Sequence, residues 1–229
     1  LFNQHDLMFN LPVDHLTVDH LKMLKEEHVQ MNKAILSSVK NADGQLLQFM
    51  TENFERFVDL NHQTRLPIAN LYQTPETLGK DRIAAAVGAN ELFPGQNVLI
   101  IDAGTAITFD LVSAENQFIG GNISPGMQMR FKALNQFTGR LPKVDHSENY
   151  NTLGKNTDEA IRAGVQNGLI FEIERTIDLF SEKYPGLQVV MTGGDSIFLD
   201  KLLNYDVYVH LNLTLIGLNK ILEYNALHR

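Results

Sequence analysis

The stretch "NVLIIDAGTAITFDLV", Asn97 to Val112, combines two apolar strands with a polar bend. Val98–Ile101 form an unbroken apolar run of the kind found in buried strands. The segment Asp102–Thr105 interrupts this run, and alternating apolar residues resume at Ile107. The pattern predicts a buried hairpin whose bend carries a carboxylate, a glycine and a hydroxyl.

The bend has the residue types of a phosphate-binding turn that includes a cation. Gly104 lets the backbone approach a phosphate closely, successive N–H groups around such a bend form an anion-binding nest, and Thr105 adds a hydroxyl donor. Asp102 repels phosphate, so it fits this interpretation only if a cation lies nearby. The alternative is an ordinary hairpin turn, in which Asp, Gly and Thr are common.

The rest of the chain alternates helical and strand patterns, which predicts the α/β class. Strands are expected at Lys33–Lys40, at "QFIGGNIS" and at "LQVVMTGGD", and helices at Gly44–Phe57, Leu78–Phe93 and about Asp158–Tyr184. The Pro-Gly stretch from Phe93 to Asn97 is the expected domain boundary.

Composition limits the classes of function. The chain has 229 residues, a formal net charge of −8 and no cysteine. An acidic chain without a basic run is a poor candidate for binding nucleic acid or an anionic membrane through charge. The lack of cysteine excludes disulfides and thiolate chemistry within this sequence and suits a cytoplasmic location. No apolar run approaches the ~20 residues that span a bilayer, so we expect no membrane segment.

A second polar cluster opens the helix near residue 80. Gly79, Lys80, Asp81 and Arg82 are consecutive. An aspartate in the first turn is favoured by the helix dipole, which is the simplest explanation. The same residues also suit a small substrate bearing a carboxylate, since Arg82 can bind an anion in a bidentate manner and Asp81 can accept a proton from a hydroxyl.

Two further segments have the residue types of ligand sites. Asn156 or Thr157 is expected to cap the long helix, and the helix start can offer N–H groups and a hydroxyl to a ligand. Gly193 and Gly194 follow a strand, where ligands of α/β folds gather, although a plain strand-to-helix turn has the same pattern. The eight histidines have no zinc-binding spacing and are interpreted as surface or packing residues.

Together these motifs resemble the type III pantothenate kinases, a family of the acetate kinase, sugar kinase, Hsp70 and actin superfamily. The resemblance runs from about Asn70 to the C-terminus and depends on five motifs in order: Tyr72 with Gly79–Arg82, Asp102–Thr105, "GGNISPGMQMR" (Gly120–Arg130), Lys155–Thr157 and Thr192–Asp195. It implies two ribonuclease H-like (actin-like ATPase) domains, with mixed sheets flanked by helices and a ligand cleft between the domains. The expected domains are residues 1–96 and 97–229.

The resemblance also implies an activity, the phosphorylation of pantothenate by ATP to 4′-phosphopantothenate in coenzyme A biosynthesis, with Asp81 as the general base. The substrate site it implies comprises Tyr72, Gly79, Lys80, Asp81, Arg82 and Thr157. The ATP site it implies comprises Gly104, Thr105, Gly193 and Gly194. Asp102 would bind a monovalent cation, K⁺ or NH₄⁺, which shields the carboxylate from phosphate. Mg²⁺ and a homodimer with the pantothenate pocket at the subunit interface are further implications.

One departure from the family pattern concerns the first domain. The family begins with a strand ending in Asp-x-Gly-Asn-Thr, a phosphate loop, and the present residues contain no such motif. We therefore expect that the first strand and phosphate loop are missing before Leu1. The alternatives are another small-molecule kinase of the superfamily, which would not need Tyr72 and Gly79–Arg82, or a non-catalytic nucleotide-binding or regulatory protein, which would be expected to lose Asp81 or Asp102.

Overall fold

The computed structural model describes residues 1–38 and 43–227. Ten strands occur along the chain: β1 Phe2–Asn3, β2 Asp6–Leu7, β3 Lys33–Leu36, β4 Arg56–Asp59, β5 Ala69–Asn70, β6 Val98–Ala103, β7 Ala106–Ser113, β8 Gln117–Pro125, β9 Gln188–Thr192 and β10 Tyr208–Val209. Seven α-helices lie between or after them: α1 Val18–Glu27, α2 Gly44–Asn53, α3 Lys80–Leu92, α4 Met127–Phe137, α5 Thr157–Lys183, α6 Ser196–Asp200 and α7 Leu213–Leu227. A short 3₁₀ helix, Pro75–Thr77, precedes α3.

The chain forms two compact units. The first comprises Leu1–Leu92 together with Leu213–Arg229, and the second comprises Phe93–Asn212. The last helix, α7, therefore groups with the first unit, whereas the division expected from sequence has the second domain running to residue 229. The change of unit after Leu92 falls at the Pro-Gly stretch that follows α3.

In the first unit, α3 and α7 pack against each other at two glycines. A Cβ atom on Gly217 would lie 1.7 Å from the carbonyl oxygen of Ala84, and one on Gly88 would lie 2.3 Å from that of Leu213. Only hydrogen fits at these two positions. The small residues of α3 thus let the two helix backbones approach closely, which explains its run of three alanines.

The first unit also contains a small parallel sheet. β3 pairs with β4 from Lys33–Arg56 to Leu36–Asp59. Beside it, α1 and α2 contribute a core of Leu21, Leu46 and Met50, closed by Phe54 after α2. β1 and β2 form a separate antiparallel pair.

The five strands of the second unit lie side by side in a mixed sheet, in the order β10-β9-β6-β7-β8. β7 runs antiparallel to both β6 and β8, while β9 runs parallel to β6 and β10 parallel to β9. If β6 to β10 are numbered 1 to 5 and the sheet is read from the β8 edge, the order is 3-2-1-4-5, and strand 2 is antiparallel to its neighbours. This is the ribonuclease H-like arrangement, and it confirms the mixed α/β class.

The core of the second unit lies between one face of this sheet and helices α4 and α5. The face bears Leu99, Ile101 and Phe109, which pack with helix residues such as Phe131 and Ile173. Because side chains alternate along a strand, Asp102 projects from the opposite face. Within residues 1–38 and 43–227, no helix is both long and apolar enough to cross a membrane.

Most predicted elements are confirmed, with shifts of a few residues. The exception is the helix expected over Gly44–Phe57. It ends at Asn53, and Arg56–Asp59 is strand β4, because Phe57 pairs with Ala34 of β3 and this pairing overrides the helical spacing. The strand expected over Lys33–Lys40 is observed over Lys33–Leu36, and its last two residues, 39 and 40, lie outside the described residues.

Candidate active site

A row of three oxygen-bearing side chains crosses the sheet of the second unit. Asp102 on β6 lies opposite Thr108 on β7 and beside Thr192 on β9. Residues paired in this way project from the same face. The hydroxyl of Thr108 is buried and, among the described residues, has no hydrogen-bond partner. The row is an all-oxygen set of side chains at the carboxyl ends of two parallel strands, β6 and β9, where ligands of α/β folds bind.

Gly193 packs directly against the end of β6. Its φ of +91° favours glycine, and a Cβ atom there would lie 2.5 Å from the carbonyl oxygen of Ala103 and 2.6 Å from Oδ1 of Asp102. The backbone N–H of Asp195 donates to the same Ala103 carbonyl at 3.0 Å. The turn after β9 and the carboxylate of Asp102 therefore belong to one local structure, although they are about ninety residues apart in sequence.

The turn between β6 and β7 is closed by its own backbone. The N–H of Gly104 donates to the carbonyl of Ala106 at 3.1 Å, and the N–H of Gly126 donates to that of Thr105 at 3.1 Å. A Cβ atom on Gly126 would lie 2.2 Å from the Gly104 carbonyl oxygen. The N–H of Gly104 is already hydrogen-bonded, so this residue can give a ligand room but no hydrogen bond from its backbone. Thr105 is exposed, and its hydroxyl can donate to a ligand.

The carboxylate of Asp195 lies in a half-buried environment at the start of α6. Burial raises the pKa of this carboxyl group above its ordinary value, and nearby His146, in its protonated form, acts in the opposite direction. Asp195 and His146 are thus electrostatic neighbours beside the Gly193–Gly194 turn.

In the first unit, the start of α3 holds the carboxylate of Asp81. The carbonyl of Gly79 accepts the first helical hydrogen bond, from Ile83 at 3.2 Å, and the N–H of Arg82 donates to Oδ1 of Asp81 at 2.8 Å. Asp81 is nevertheless exposed. A Cβ atom on Gly79 would lie 2.5 Å from that same oxygen, so glycine leaves the space that the carboxylate occupies.

Two cations flank Asp81. The guanidinium of Arg82 lies 5.6 Å from the ring centroid of Tyr72, within the range of a cation–π contact, and the Arg82 residue is only 7% exposed. On the other side, Nζ of Lys80 lies 3.9 Å from a carboxylate oxygen of Asp59, at the end of β4. The cluster Tyr72, Gly79–Arg82 is therefore assembled within one unit.

Thr157 lies at the start of a helix in the second unit. It is the first residue of α5, and the N-cap is Asn156, whose side chain accepts from the N–H of Glu159 at 3.0 Å. The carboxylate of Glu159 in turn accepts from the N–H of Lys155 at 2.9 Å. Asn156 is thus the capping residue of the two that the sequence allowed, and Thr157 is exposed beside it.

The structure therefore brings Asp102, Gly104, Thr105 and Gly193 together in the second unit, and Tyr72 and Gly79–Arg82 together in the first. The sequence did not indicate three residues that lie beside these clusters: Thr108, His146 and Asp59. The strand alternation around Thr108 is visible in the sequence, but its position opposite Asp102 depends on the length of the turn. His146 and Asp59 have no local pattern that indicates a site. Among the described residues, no group of three or more His, Asp or Glu side chains could hold a metal ion.

Comparison with known proteins identifies the family. The sequence model of the type III pantothenate kinases matches residues 9–179, well over half of the chain. The type III pantothenate kinase of Phocaeicola vulgatus is 41% identical over 225 residues, covering 98% of this chain and 93% of the relative. That of Bacteroides fragilis is 46% identical over 195 residues, covering 85% and 80%.

A solved structure supports the fold independently. It is a protein from Campylobacter jejuni described as a conserved Baf family transcriptional activator, and it aligns with a TM-score of 0.60 at 24% identity, covering 92% of this chain and 89% of that one. At this identity the likeness bears on the fold alone. By the sequence matches, which span most of both proteins, the chain belongs to the type III pantothenate kinase family.

Proposed function

We propose that this chain transfers the γ-phosphoryl group of ATP to the terminal hydroxyl of pantothenate, giving 4′-phosphopantothenate for coenzyme A biosynthesis. The observation that carries the proposal is the contact between the Asp102 carboxylate and Gly193 in a chain of this family. That contact joins a turn suited to phosphate with a turn suited to adenosine at the carboxyl ends of neighbouring strands.

Asp81 is the proposed general base. Its carboxylate is exposed, yet one oxygen is held by the N–H of Arg82 at 2.8 Å, so the group is oriented without being covered. An alcohol is a weak nucleophile, and a carboxylate within hydrogen-bond reach assists by taking its proton as the phosphoryl group transfers. Gly79 supports this role by leaving the space in which the carboxylate lies.

The cations around Asp81 are the proposed binding groups for pantothenate. Pantothenate carries a carboxylate, and a buried Arg82 fixed against Tyr72 offers a guanidinium whose orientation costs little entropy on binding. Lys80 is turned toward Asp59, which partly neutralises it, so we assign it a smaller share of the attraction. Thr157, whose hydroxyl is exposed, is a further proposed contact of pantothenate.

The second unit supplies the proposed ATP site. Thr105 donates its hydroxyl to a phosphate, and Gly104 allows the close approach. Gly194 leaves bare backbone on which the nucleoside can lie, and Gly193 lets this turn pack against Asp102. Mg²⁺ would supply positive charge that offsets the charge developing on the phosphates, and it would need few ligands from the protein because phosphates and waters fill most of its shell.

The row Asp102, Thr108 and Thr192 fits a monovalent cation. Hydroxyl and carboxylate oxygens are hard donors, and the buried hydroxyl of Thr108 has no other partner among the described residues. We therefore include K⁺ or NH₄⁺ near Asp102 in the proposal. A homodimer and a cytoplasmic location are also part of it.

The test is a coupled assay of ADP release with ATP, Mg²⁺ and K⁺, with and without pantothenate. It is run on the chain Leu1–Arg229 and on a version extended before Leu1 by the family's strand and Asp-x-Gly-Asn-Thr loop. Pantothenate-dependent ADP release in either form supports the proposal. ADP release with a sugar but not with pantothenate would favour a sister kinase, and no release with any acceptor in either form would contradict catalysis.

A further inference from the structure

In the coil before α5, side chains of α5 form hydrogen bonds with the backbone on both sides of His146. The buried side chain of Gln166 accepts from the N–H of Ser147 at 2.9 Å and donates to the carbonyl of Ser147 at 3.0 Å. On the other side, Nε of Arg162 donates to the carbonyl of Asp145 at 2.9 Å. Three hydrogen bonds from α5 therefore fix the backbone at the two residues adjoining His146, which is unusual for a coil on the protein surface.

The imidazole of His146 is itself held while remaining exposed. Its ring forms a T-shaped pair with the ring of Phe198, with the centroids 4.6 Å apart, and its Nδ1 lies 3.1 Å from Nε2 of Gln128. With Nδ1 beside Gln128, the other ring nitrogen can form a hydrogen bond with a ligand. The ring is exposed, so burial in a core does not account for this degree of positioning.

The neighbours of His146 connect it to both turns of the proposed ATP site. Gln128 lies two residues beyond Gly126, which packs against the Gly104–Thr105 turn. Asp195, which is close enough to His146 for the protonated imidazole to lower its pKa, directly follows Gly194. His146 thus contacts or neighbours residues that adjoin both turns, and all of these residues belong to the second unit.

We propose that His146 contacts the nucleoside part of ATP and sets the affinity of the protein for nucleotide. The inference rests on the proposed function, because it takes ATP as the ligand of the Gly193–Gly194 turn. A nucleoside offers a flat base and ribose hydroxyls. The imidazole offers a flat face for stacking and a ring nitrogen for a hydrogen bond, and Asp195 beside it offers acceptors for hydroxyl or amino groups.

The test compares His146→Ala with the wild type. We expect the KM for ATP and the dissociation constant for ADP, measured by calorimetry, to rise roughly tenfold, as the loss of one stacked contact does in nucleic-acid sites. The kcat at saturating ATP, the KM for pantothenate and the melting temperature are expected to stay near the wild-type values. His146→Gln, which retains a hydrogen-bonding group, should recover part of the affinity.

Glu148→Gln is the matched control. Glu148 lies on the same coil and pairs with Lys201 at 2.5 Å on the exposed surface, so its loss should leave nucleotide affinity unchanged. An unchanged ADP dissociation constant in His146→Ala would overturn the inference. So would a fall in melting temperature accompanied by equal losses in every kinetic parameter, because that pattern indicates a structural role.

Failure of the proposed function gives a different result. If the wild type binds ADP in a manner that depends on His146 but phosphorylates no pantothenate, the kinase proposal falls and the nucleotide contact stands. If neither form of the protein binds ADP, both fall. If pantothenate is phosphorylated with an ATP affinity indifferent to His146, only this inference falls.

Discussion

Asp102 and Thr108 face each other across β6 and β7, and the Thr108 hydroxyl is buried there with no hydrogen-bond partner among the described residues. Leaving a buried hydroxyl unsatisfied costs about 1–3 kcal/mol. The pair therefore stores an unfavourable interaction that a cation beside Asp102 would relieve, since a cation accepts the lone pairs of both oxygens.

Thr108→Val is expected to separate the cost of the buried hydroxyl from the contribution of that hydroxyl to cation binding. Valine has nearly the same shape, so without K⁺ the free energy of unfolding should stay within about 1 kcal/mol of the wild-type value or rise. The increase in melting temperature produced by K⁺ should shrink by more than about half, because stabilisation by a ligand follows its affinity. Thermal unfolding in K⁺ and in tetramethylammonium measures both. Full K⁺ stabilisation in the valine variant would contradict a cation at this pair.

Asp81→Asn tests the proposed general base. Asparagine keeps the size of the side chain and an oxygen that accepts the N–H of Arg82, so the start of α3 should remain intact. We expect kcat to fall by about 10²–10⁴-fold, the usual contribution of general base catalysis, with little change in nucleotide affinity. Steady-state kinetics and ADP calorimetry check this. Glu76→Gln, an exposed change in the preceding 3₁₀ helix, is the control and should leave kcat unchanged.

Two glycine substitutions should change stability in opposite directions. A Cβ atom on Gly217 would lie 1.7 Å from the Ala84 carbonyl oxygen, so Gly217→Ala must separate α3 and α7 and should cost about 1–3 kcal/mol or more. A Cβ atom on Gly168 of α5 meets nothing within 4 Å, so Gly168→Ala should stabilise by about 0.5–1 kcal/mol through helix propensity. Urea denaturation gives both values. Equal effects would show that the helix contact tolerates a side chain.

The fold is predictable from sequence where a pattern is long and local. The long helix α5 and the hairpin β6–β7 follow from apolar spacing and from the break at Asp102–Thr105. Strand β4 does not, because Phe54 and Phe57 continue a helical spacing and only the pairing with β3 makes the segment extended. Pairing between distant segments leaves no trace in the local sequence pattern, so it can override helix propensity in a way that the pattern does not predict.

The site is predictable only in part, and the register of the hairpin explains why. A two-residue turn at Gly104–Thr105 would put Ile107 opposite Asp102, whereas the observed pairing of Ala103 with Ile107 puts Thr108 there. One residue in turn length thus decides whether Asp102 meets a hydroxyl or a methyl group. His146 is harder still, since its position depends on side chains of α4 and α5 rather than on its own neighbours.

Asp195→Asn should stabilise the protein at neutral pH. Folding raises the pKa of this carboxyl group through burial, so the folded state holds the proton more tightly than the unfolded state. The resulting penalty is complete above the raised pKa and disappears as the pH falls below the ordinary aspartate value. The melting temperature of the variant should therefore exceed that of the wild type at neutral pH and converge with it at acidic pH. Asp200→Asn, exposed at the end of α6, controls for the lost charge.

Gly79→Ala should impair catalysis without weakening the fold. The backbone at Gly79 has no left-handed strain, so alanine is tolerated there, but its Cβ would lie 2.5 Å from Oδ1 of Asp81 and must displace the carboxylate. Small misplacements of a catalytic group cost up to about 10²-fold in rate, so we expect kcat to fall by about 10–100-fold with an unchanged melting temperature. Gly44→Ala is the matched control, since a Cβ there meets nothing within 4 Å.

The double variant decides whether Gly79 acts through Asp81. If Gly79 only leaves space for that carboxylate, Gly79→Ala should reduce kcat no further once Asp81 is asparagine, because the group it displaces no longer takes a proton. If the two losses multiply instead, Gly79 serves the reaction by a route separate from Asp81, for example by direct approach of its backbone to the substrate. The kcat values of the wild type, the two single variants and the double variant, compared as a cycle, distinguish these outcomes.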